Sequence, residues 1–293
     1  MMMKRQKDHR SKIPTAIPGL TIPIWMRFAC LATCLLLTSP GVVSPQGLPL
    51  EGQEADEFLL EARVIQTTSI PIGVTRPEKV TLTDDVLTLH AVWKTVDNFR
   101  IGPTWFGDGS FELNLRDSYK HEVAAYKLDQ ILQLGLVPPT VERELRGRKG
   151  SLQLWVQNSI TYAQYRANRT VPPNLEQWNQ QMYNLRLLHQ LTCNSDFNNV
   201  NNILVDPELR LHAIDHSRAF RVNKELLAGG DLTRFSRAVY ERLKLLNQEM
   251  LEKELGRWLT SDQIATLLVR RDKIVDRANQ LVREQGEDSV FFP

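Results

Sequence analysis

Cysteine is scarce in this chain, with only Cys30, Cys34 and Cys193 among 293 residues. The first two lie in an N-terminal leader-like segment, so its removal would leave Cys193 alone and no intramolecular disulfide framework could form. Cys193 has no histidine near it in a defined role; it reads as a small apolar residue closing a helix, not as a nucleophile. Long apolar runs are lacking too, and Phe28 to Leu37 is shorter than a membrane span. No internal repeat period emerges from 45 to 293, which excludes solenoid and propeller architectures. Beyond the N-terminus a basic stretch that could track a phosphate backbone is missing as well. The formal charge of +2 hides a leader with Lys4, Arg5, Lys7, Arg10, Lys12 and Arg27 against Asp8 alone. The remainder is therefore mildly acidic, which gives no support to nucleic-acid binding.

What is present is a core-forming composition, 42% hydrophobic, enough for one large domain or two lobes. Residues 1 to 44 combine a basic opening, an apolar run and Thr38-Ser39-Pro40-Gly41. They read as a secretory signal, with Met26 as a second candidate start, or as an uncleaved membrane anchor. Export to a secreted or periplasmic location follows from the first reading; an anchor, with the body possible on the cytoplasmic side, follows from the second. Residues 45 to 56, rich in Pro, Gly, Gln and acid, read as a linker.

From Ala62 the pattern is strand-like: Ala62 to Gln66, Ile70 to Val74, Lys79 to Leu82 and Val86 to Lys94 form an expected small antiparallel sheet. Gly73 lies in a tight connection that could cover phosphate, although a single glycine supplies little backbone freedom and an ordinary hairpin serves as well. Lys94 ends the last strand on the face of Val92 and His90. Asp117-Ser118 then supplies an N-cap for a helix from Tyr119 to about Leu134, with Glu122 in its first turn, where macrodipole compensation would suffice to explain it. A basic turn, Arg146 to Gly150, precedes the apolar strand Ser151 to Val156, and Leu154 to Gln157 reads as the connection between lobes. Helices follow: one from Asn174, then Leu232 to about Leu246, Glu249 to Trp258, and Ser261 to Arg283, in which Arg270 to Lys273 mark an expected solvated face. The organisation is α+β, with a smaller strand-rich N-lobe at 57–156 and a larger helical C-lobe at 157–293.

One stretch breaks the helical pattern. Cys193 to Phe220 carries Asp196, Asn201 and Asp215 around two short strands that turn at Asp206-Pro207-Glu208. Pairing about Glu208 sets Asn201 opposite Asp215. Two oxygen donors at a hairpin mouth suit a hard cation such as Mg2+, with Asp196 on the loop leading in. An Asn-rich turn with incidental carboxylates is the plain alternative.

With Lys94, Glu122, Asp196, Asn201 and Asp215 in that order, the chain resembles the atypical kinase superfamily that includes phosphatidylinositol 3-/4-kinases, HipA-type kinases and secreted Fam20-type kinases, most nearly its small bacterial members. The match is carried by Ala91-Val92-Trp93-Lys94, the helix start Ser118 to Tyr126, the segments Leu136 to Thr140 and Gly150 to Val156, the loop Asn194 to Asn201, and Ile214 to Phe220; it covers 70 to 285. The resemblance implies a two-lobed protein-kinase-like fold, with an antiparallel-sheet N-lobe carrying one main helix and a mostly helical C-lobe carrying a catalytic hairpin. It implies an ATP- and Mg2+-dependent phosphotransferase in which Lys94 and Glu122, with Gly73, Leu154 and Val156, bind nucleotide. Asn201 and Asp215 would hold the metal, and Asp196 would act on the hydroxyl of a protein, lipid or small-molecule acceptor. Phe197 departs from the family pattern, which places a basic residue after the catalytic Asp. A pseudokinase scaffold that binds nucleotide, or an enzyme that transfers AMP, stays open beside the kinase.

Overall fold

The sheet at the N-terminal side is built by strands whose alternation sends one face to a core. In the computed structural model, which describes residues 47–71, 77–105, 109, 111–194, 196–229 and 231–293, it has five antiparallel strands. They are β1 (Arg63–Ser69), β2 (Glu78–Thr83), β3 (Thr88–Lys94), β8 (Thr140–Leu145) and β9 (Arg148–Leu154), in spatial order β1-β2-β3-β9-β8. Between β3 and the main helix α2 (Tyr119–Leu132) lie two small ladders, β4 (Asp97–Phe99) with β7 (Arg116–Ser118), and β5 (Pro103–Trp105) with β6 (Phe111–Leu113). The basic turn expected at Arg146 to Gly150 is tighter than that range. Arg146 and Gly147 both take positive φ, 53° and 72°, in a two-residue hairpin that sets Leu145 opposite Arg148.

The segment 45–56 is not a linker in its described part. Leu48 and Leu50 are buried, and helix α1 (Gly52–Glu61) seats Ala55, Phe58 and Leu59 on the sheet beside Leu89, Ala91 and Trp93. The spacing of Ala55, Phe58 and Leu59 is helical, but Gly, Pro and acidic neighbours obscure it. The strand expected over Ile70 to Val74 does not form in its described part, since β1 ends at Ser69; Ile72 to Arg76, including Gly73, lie outside the described residues, as do residues 1–46 with their signal or anchor reading. No helix among the described residues is long and apolar enough to cross a membrane.

The rest is mostly helical: β10 (Ile160–Thr161), α3 (Tyr162–Ala167), α4 (Leu175–Thr192), the hairpin β11 (Ile203–Val205) and β12 (Leu211–Ala213), and β13 (Phe235–Ser236). The chain ends with α5 (Arg237–Leu245), α6 (Gln248–Leu255), α7 (Ser261–Gln285), α8 (Glu287–Val290) and β14 (Phe291–Phe292). The helix expected from Leu232 thus starts at Arg237, where Ser236 caps it through a hydrogen bond from Val239 N. Thr260 and Gln263 form a capping box at the start of α7.

Arg270 is the plainest correction: expected on a solvated face, it is fully buried. Its Nε donates to Leu191 O at 2.9 Å, and its Nη1 donates to Arg221 O at 3.1 Å and to Asn223 O. Nε and Nη1 exchange water for carbonyls at the end of α4 and just past Phe220, which offsets part of the cost of burial, while Nη2 is buried without a hydrogen-bond partner.

Among the buried histidines, His121 and His189 are held as neutral rings. His121 Nδ1 contacts Ser217 O at 2.8 Å and its Nε2 meets Gln263 Nε2 at 3.0 Å. The first bond requires a donor and the second an acceptor, which only the neutral ring supplies. Burial pushes His121 down to about 4 and His189, with help from nearby His216, down to about 3. Unfolded histidines take up protons near pH 6.5, so this stability is fully present above about 6.5 and is lost as pH falls, at up to about 1.4 kcal/mol per pH unit for each ring. Urea midpoints are therefore expected to drop between pH 6.5 and 4.5. His121→Gln and His189→Gln should each flatten that dependence, and unchanged slopes in both variants would contradict the neutral-ring assignment.

Candidate functional site

The site is assembled from the end of a strand, the first turn of a helix and the exit of a hairpin. In β3, Ala91 and Trp93 face the core under α1, so the pleat turns Lys94 to the opposite face. In α2, Ser118 is the N-cap: its side chain accepts from Lys120 N at 3.2 Å and donates to Asp97 Oδ1 at 2.7 Å. That cap sets the first turn, and Glu122 arrives beside Lys94 with its side chain 1% exposed. Lys94 Nζ lies 2.5 Å from Glu122 Oε1 and 2.8 Å from Asp215 Oδ1. The second oxygen of Glu122 accepts from His216 N at 2.9 Å, which holds the chain just past Asp215. Ser217 O receives both Ser118 N, at 3.0 Å, and the ring of His121, so the hairpin exit is sewn to the helix start.

Asp215 takes a left-handed φ of 61°, an uncommon conformation that Asp tolerates better than most residues. Burial by itself would lower the Lys94 ammonium and raise the Asp215 carboxyl, but the ion pairs prevail: Lys94 is held above its ordinary value and Asp215 below. Asp117 stands close enough to feel both, and its carboxyl is raised, first by burial and also by the charges of Asp215 and Glu122. One ammonium is thus shared by two carboxylates, Glu122 and Asp215, an excess of negative charge even before Asp117 is counted.

Asp196 is held differently. Cys193 caps α4 in the left-handed region, φ 48°, as a small buried residue, and Asn194 Oδ1 accepts from Asp196 N at 3.1 Å. Asn202 Nδ2 and Asn199 Nδ2 donate to Asp196 Oδ2 at 2.7 and 3.2 Å. Asn202 O in turn accepts from Ile214 N at 2.9 Å, which links the loop to the residue before Asp215. The hairpin pairs Ile203 with Ala213 and Val205 with Leu211, a register centred on Glu208 as its spacing predicts. Continued outward, that register sets position 201 opposite 215. The chain there is a 3-10 turn, Val200–Asn202, and Asn201 is exposed at its centre.

Leu154 and Val156 are not brought to Lys94. Leu154 pairs with Ala91, and both side chains lie in the core beneath α1, while Gln153 and Ser151 stand opposite Val92 and Lys94. The pleat decides this, because an even offset from Ala91 cannot share the face of Lys94. Phe197 stacks edge-on to His189 at 6.4 Å and lines a cavity of about 170 Å3 with Tyr162, Met182 and Ile203, so its ring is occupied within the C-terminal packing. The residues missed from the sequence are Asn199 and Asn202, which clamp Asp196, and Asp117. In a run such as Asn198-Asn199-Val200-Asn201-Asn202, nothing local marks which amide will face the carboxylate.

Among the described residues no group of three or more His, Cys, Asp or Glu side chains forms a ready metal cage. Asp215 and Asn201, the expected metal pair, would offer oxygen donors to a hard cation that keeps water or phosphate oxygens for its remaining positions. The local negative excess fits such a cation.

No protein-family model matches the sequence, and no curated protein does. Solved structures do. A hydra Fam20 solved with sugar aligns at 14% identity and TM-score 0.61, covering 85% of this chain and 95% of that one. The Golgi casein kinase aligns at 14% identity and TM-score 0.58, covering 84% and 79%; its structure with Mn and ADP bound gives 14%, 0.59, 84% and 80%. At this identity the likeness is one of fold: the chain has the kinase-like fold of the Fam20 kinases.

Proposed function

We propose that this protein is an ATP- and divalent-cation-dependent phosphotransferase of the atypical kinase type. The observation that carries the reading is the Lys94–Glu122–Asp215 cluster, an ammonium held between a helix carboxylate and a hairpin carboxylate on the inner face of a kinase-like sheet. Lys94, aimed by Glu122, would grip the nucleotide phosphates. Asp215 and Asn201 would hold Mg2+, which neutralises charge on the transferring group when bound. Asp196, positioned by Asn199 and Asn202, would accept the proton of the attacking hydroxyl as the new P–O bond forms and the bond to the ADP leaving group breaks. The two amides would orient Asp196 where related loops use a basic neighbour, which favours catalysis over a purely nucleotide-binding scaffold. The Mn and ADP of one similar structure support nucleotide and divalent-metal use, and the sugar and casein kinase named in the others support a hydroxyl acceptor. That one of them is a Golgi kinase supports the export reading of residues 1–44.

The test is incubation with ATP and Mg2+, followed by mass spectrometry of the chain for phosphate or AMP adducts and by thermal shift for binding. The wild-type chain should be protected by ATP with Mg2+ and acquire phosphate. Asp196→Asn should keep the protection and lose about a hundredfold or more in transfer rate. Asp215→Asn, or chelation by EDTA, should remove the metal-dependent part of both readouts. Absence of ATP protection in the wild type would sink the proposal; protection without transfer would leave a scaffold, and an AMP adduct would replace phosphoryl with AMP transfer.

The charge network makes a separate prediction. Lys94→Met leaves Glu122 buried without its cation and should destabilise the nucleotide-free chain by about 3 kcal/mol, measured by urea unfolding. Adding Glu122→Gln should restore part of that loss. Equal stability of Lys94→Met and wild type would mean that the pair is not buried as described.

A further inference from the structure

Where β4 and β7 meet the first turn of α2, a groove of about 440 Å3 runs on to the turn between α6 and α7. That volume is in the range of small-molecule sites. Its charged lining is uneven. Arg116, Lys120 and Arg257 are set around it against a single carboxylate, Asp97. His121, also in the wall, adds no charge, because one ring nitrogen donates to Ser217 O, the other accepts from Gln263 Nε2, and burial keeps the ring neutral. Glu142 stands behind Arg257 and takes its guanidinium at 2.7 Å. With Glu142 counted, three cations still meet only two carboxylates.

Both carboxylates are already engaged. Glu142 accepts from the Tyr119 hydroxyl and from Trp258 Nε1, each at 3.1 Å, as well as from Arg257. Asp97 accepts from the Ser118 hydroxyl and from Lys120 Nζ, each at 2.7 Å. Arg116 is the cation left over. Its guanidinium stacks on the Phe99 ring at 4.6 Å and its Nη1 donates to the neutral Gln263 Oε1 at 3.3 Å, while no carboxylate among the described residues pairs with it. A guanidinium fixed on an aromatic face and anchored at one nitrogen keeps its remaining donors oriented. Arg116 and Lys120 both lie near enough to His121 to lower its affinity for a proton, so they converge on one part of the wall.

We propose that this groove binds a phosphoryl group, carried by a phosphorylated residue or free as inorganic phosphate, with Arg116 as its main ligand and Lys120 and Arg257 beside it. Arginine presents parallel N–H donors that match two phosphate oxygens at once, and a dianion offsets the surplus of positive charge. The three cations come from β7, α2 and the α6–α7 turn, a spread that a tetrahedral oxyanion meets better than a planar carboxylate. The groove borders Ser118, the cap of the helix that carries Glu122, but Lys94, Asp196 and Asp215 do not line it.

The readout is the indole N–H of Trp258, which lines the groove and donates to the same Glu142 oxygen as Arg257. In 15N spectra of the full chain without nucleotide, with this signal assigned by Trp258→Phe, inorganic phosphate should shift it saturably. Acetate at equal ionic strength should bind about tenfold or more weakly. Arg116→Gln should weaken phosphate about tenfold or more, the loss of a charge-assisted hydrogen bond. Asp97→Asn keeps an oxygen for the Ser118 hydroxyl but removes the opposing charge, and should tighten phosphate about threefold or more. The other indole signals report that each variant is folded. A short phosphoserine peptide binding more tightly than phosphate would identify a phosphorylated residue as the source, and the reverse order the free anion. No saturable shift of Trp258, an equal response to acetate, or phosphate affinity unchanged in Arg116→Gln or in Asp97→Asn would each overturn the proposal. Phosphate held only at Lys94 would respond to neither variant, so the outcome is independent of the kinase reading.

Discussion

The Glu122 carboxylate is the constraint on which the rest of the structure turns. It is almost wholly buried, and both of its oxygens are committed, one to Lys94 and the other to the backbone of His216. A carboxylate removed from water costs several kcal/mol unless it is paired and hydrogen-bonded, so α2 can neither rotate nor slide without exposing that cost. The sheet, the main helix and the exit of the hairpin are therefore held in one relative placement, and the charges at Lys94 and Asp215 are held with them.

The helical part supports this placement through two buried polar side chains of α7. Gln263 completes its own capping box, donates to Phe220 O at 3.0 Å and meets His121 on α2, while Arg116 reaches its other end at 3.3 Å. Two turns further along, Arg270 binds carbonyls on both flanks of the segment from Cys193 to Phe220. The loop with Asp196 and the exit with Asp215 are thus anchored at their outer ends to one long helix, and at their inner ends to each other through Asn202. Polar groups bonded to several elements at once specify a single arrangement where apolar packing alone would tolerate several.

The far end of α2 extends the same logic. Asp129 draws three backbone N–H groups around it and shapes the connection into β8, and that connection pairs with β12 through Leu136 and Ala213. Both ends of the helix therefore act on the hairpin, one through Glu122 and one through the loop after it. The segment from Gly47 to Gly52, tied to the hairpin where Gly47 N donates to Glu208 and Glu51 pairs with Arg210, closes over this second end and makes residues near the N-terminus of the described chain part of the core.

Local patterns in the sequence were enough for the strand that ends at Lys94, the Ser118 cap that places Glu122 in a first turn, the hairpin register about Glu208 and the Thr260 cap of α7. Each depends on neighbours within a few residues: pleat parity, a capping side chain, a symmetric turn. Tertiary structure alone decided the others. Leu154 and Val156 turn to the core because α1 covers that face of the sheet, and nothing between 150 and 156 announces α1. Arg270 is buried because carbonyls from residues 191, 221 and 223 converge on it, although its neighbours read as a solvated face. Asn202, not Asn201, clamps Asp196 because the chain enters the hairpin through a 3-10 turn. Burial and hydrogen-bond partners are properties of what arrives from elsewhere in the chain, and that is why these choices could not be read from the order of residues.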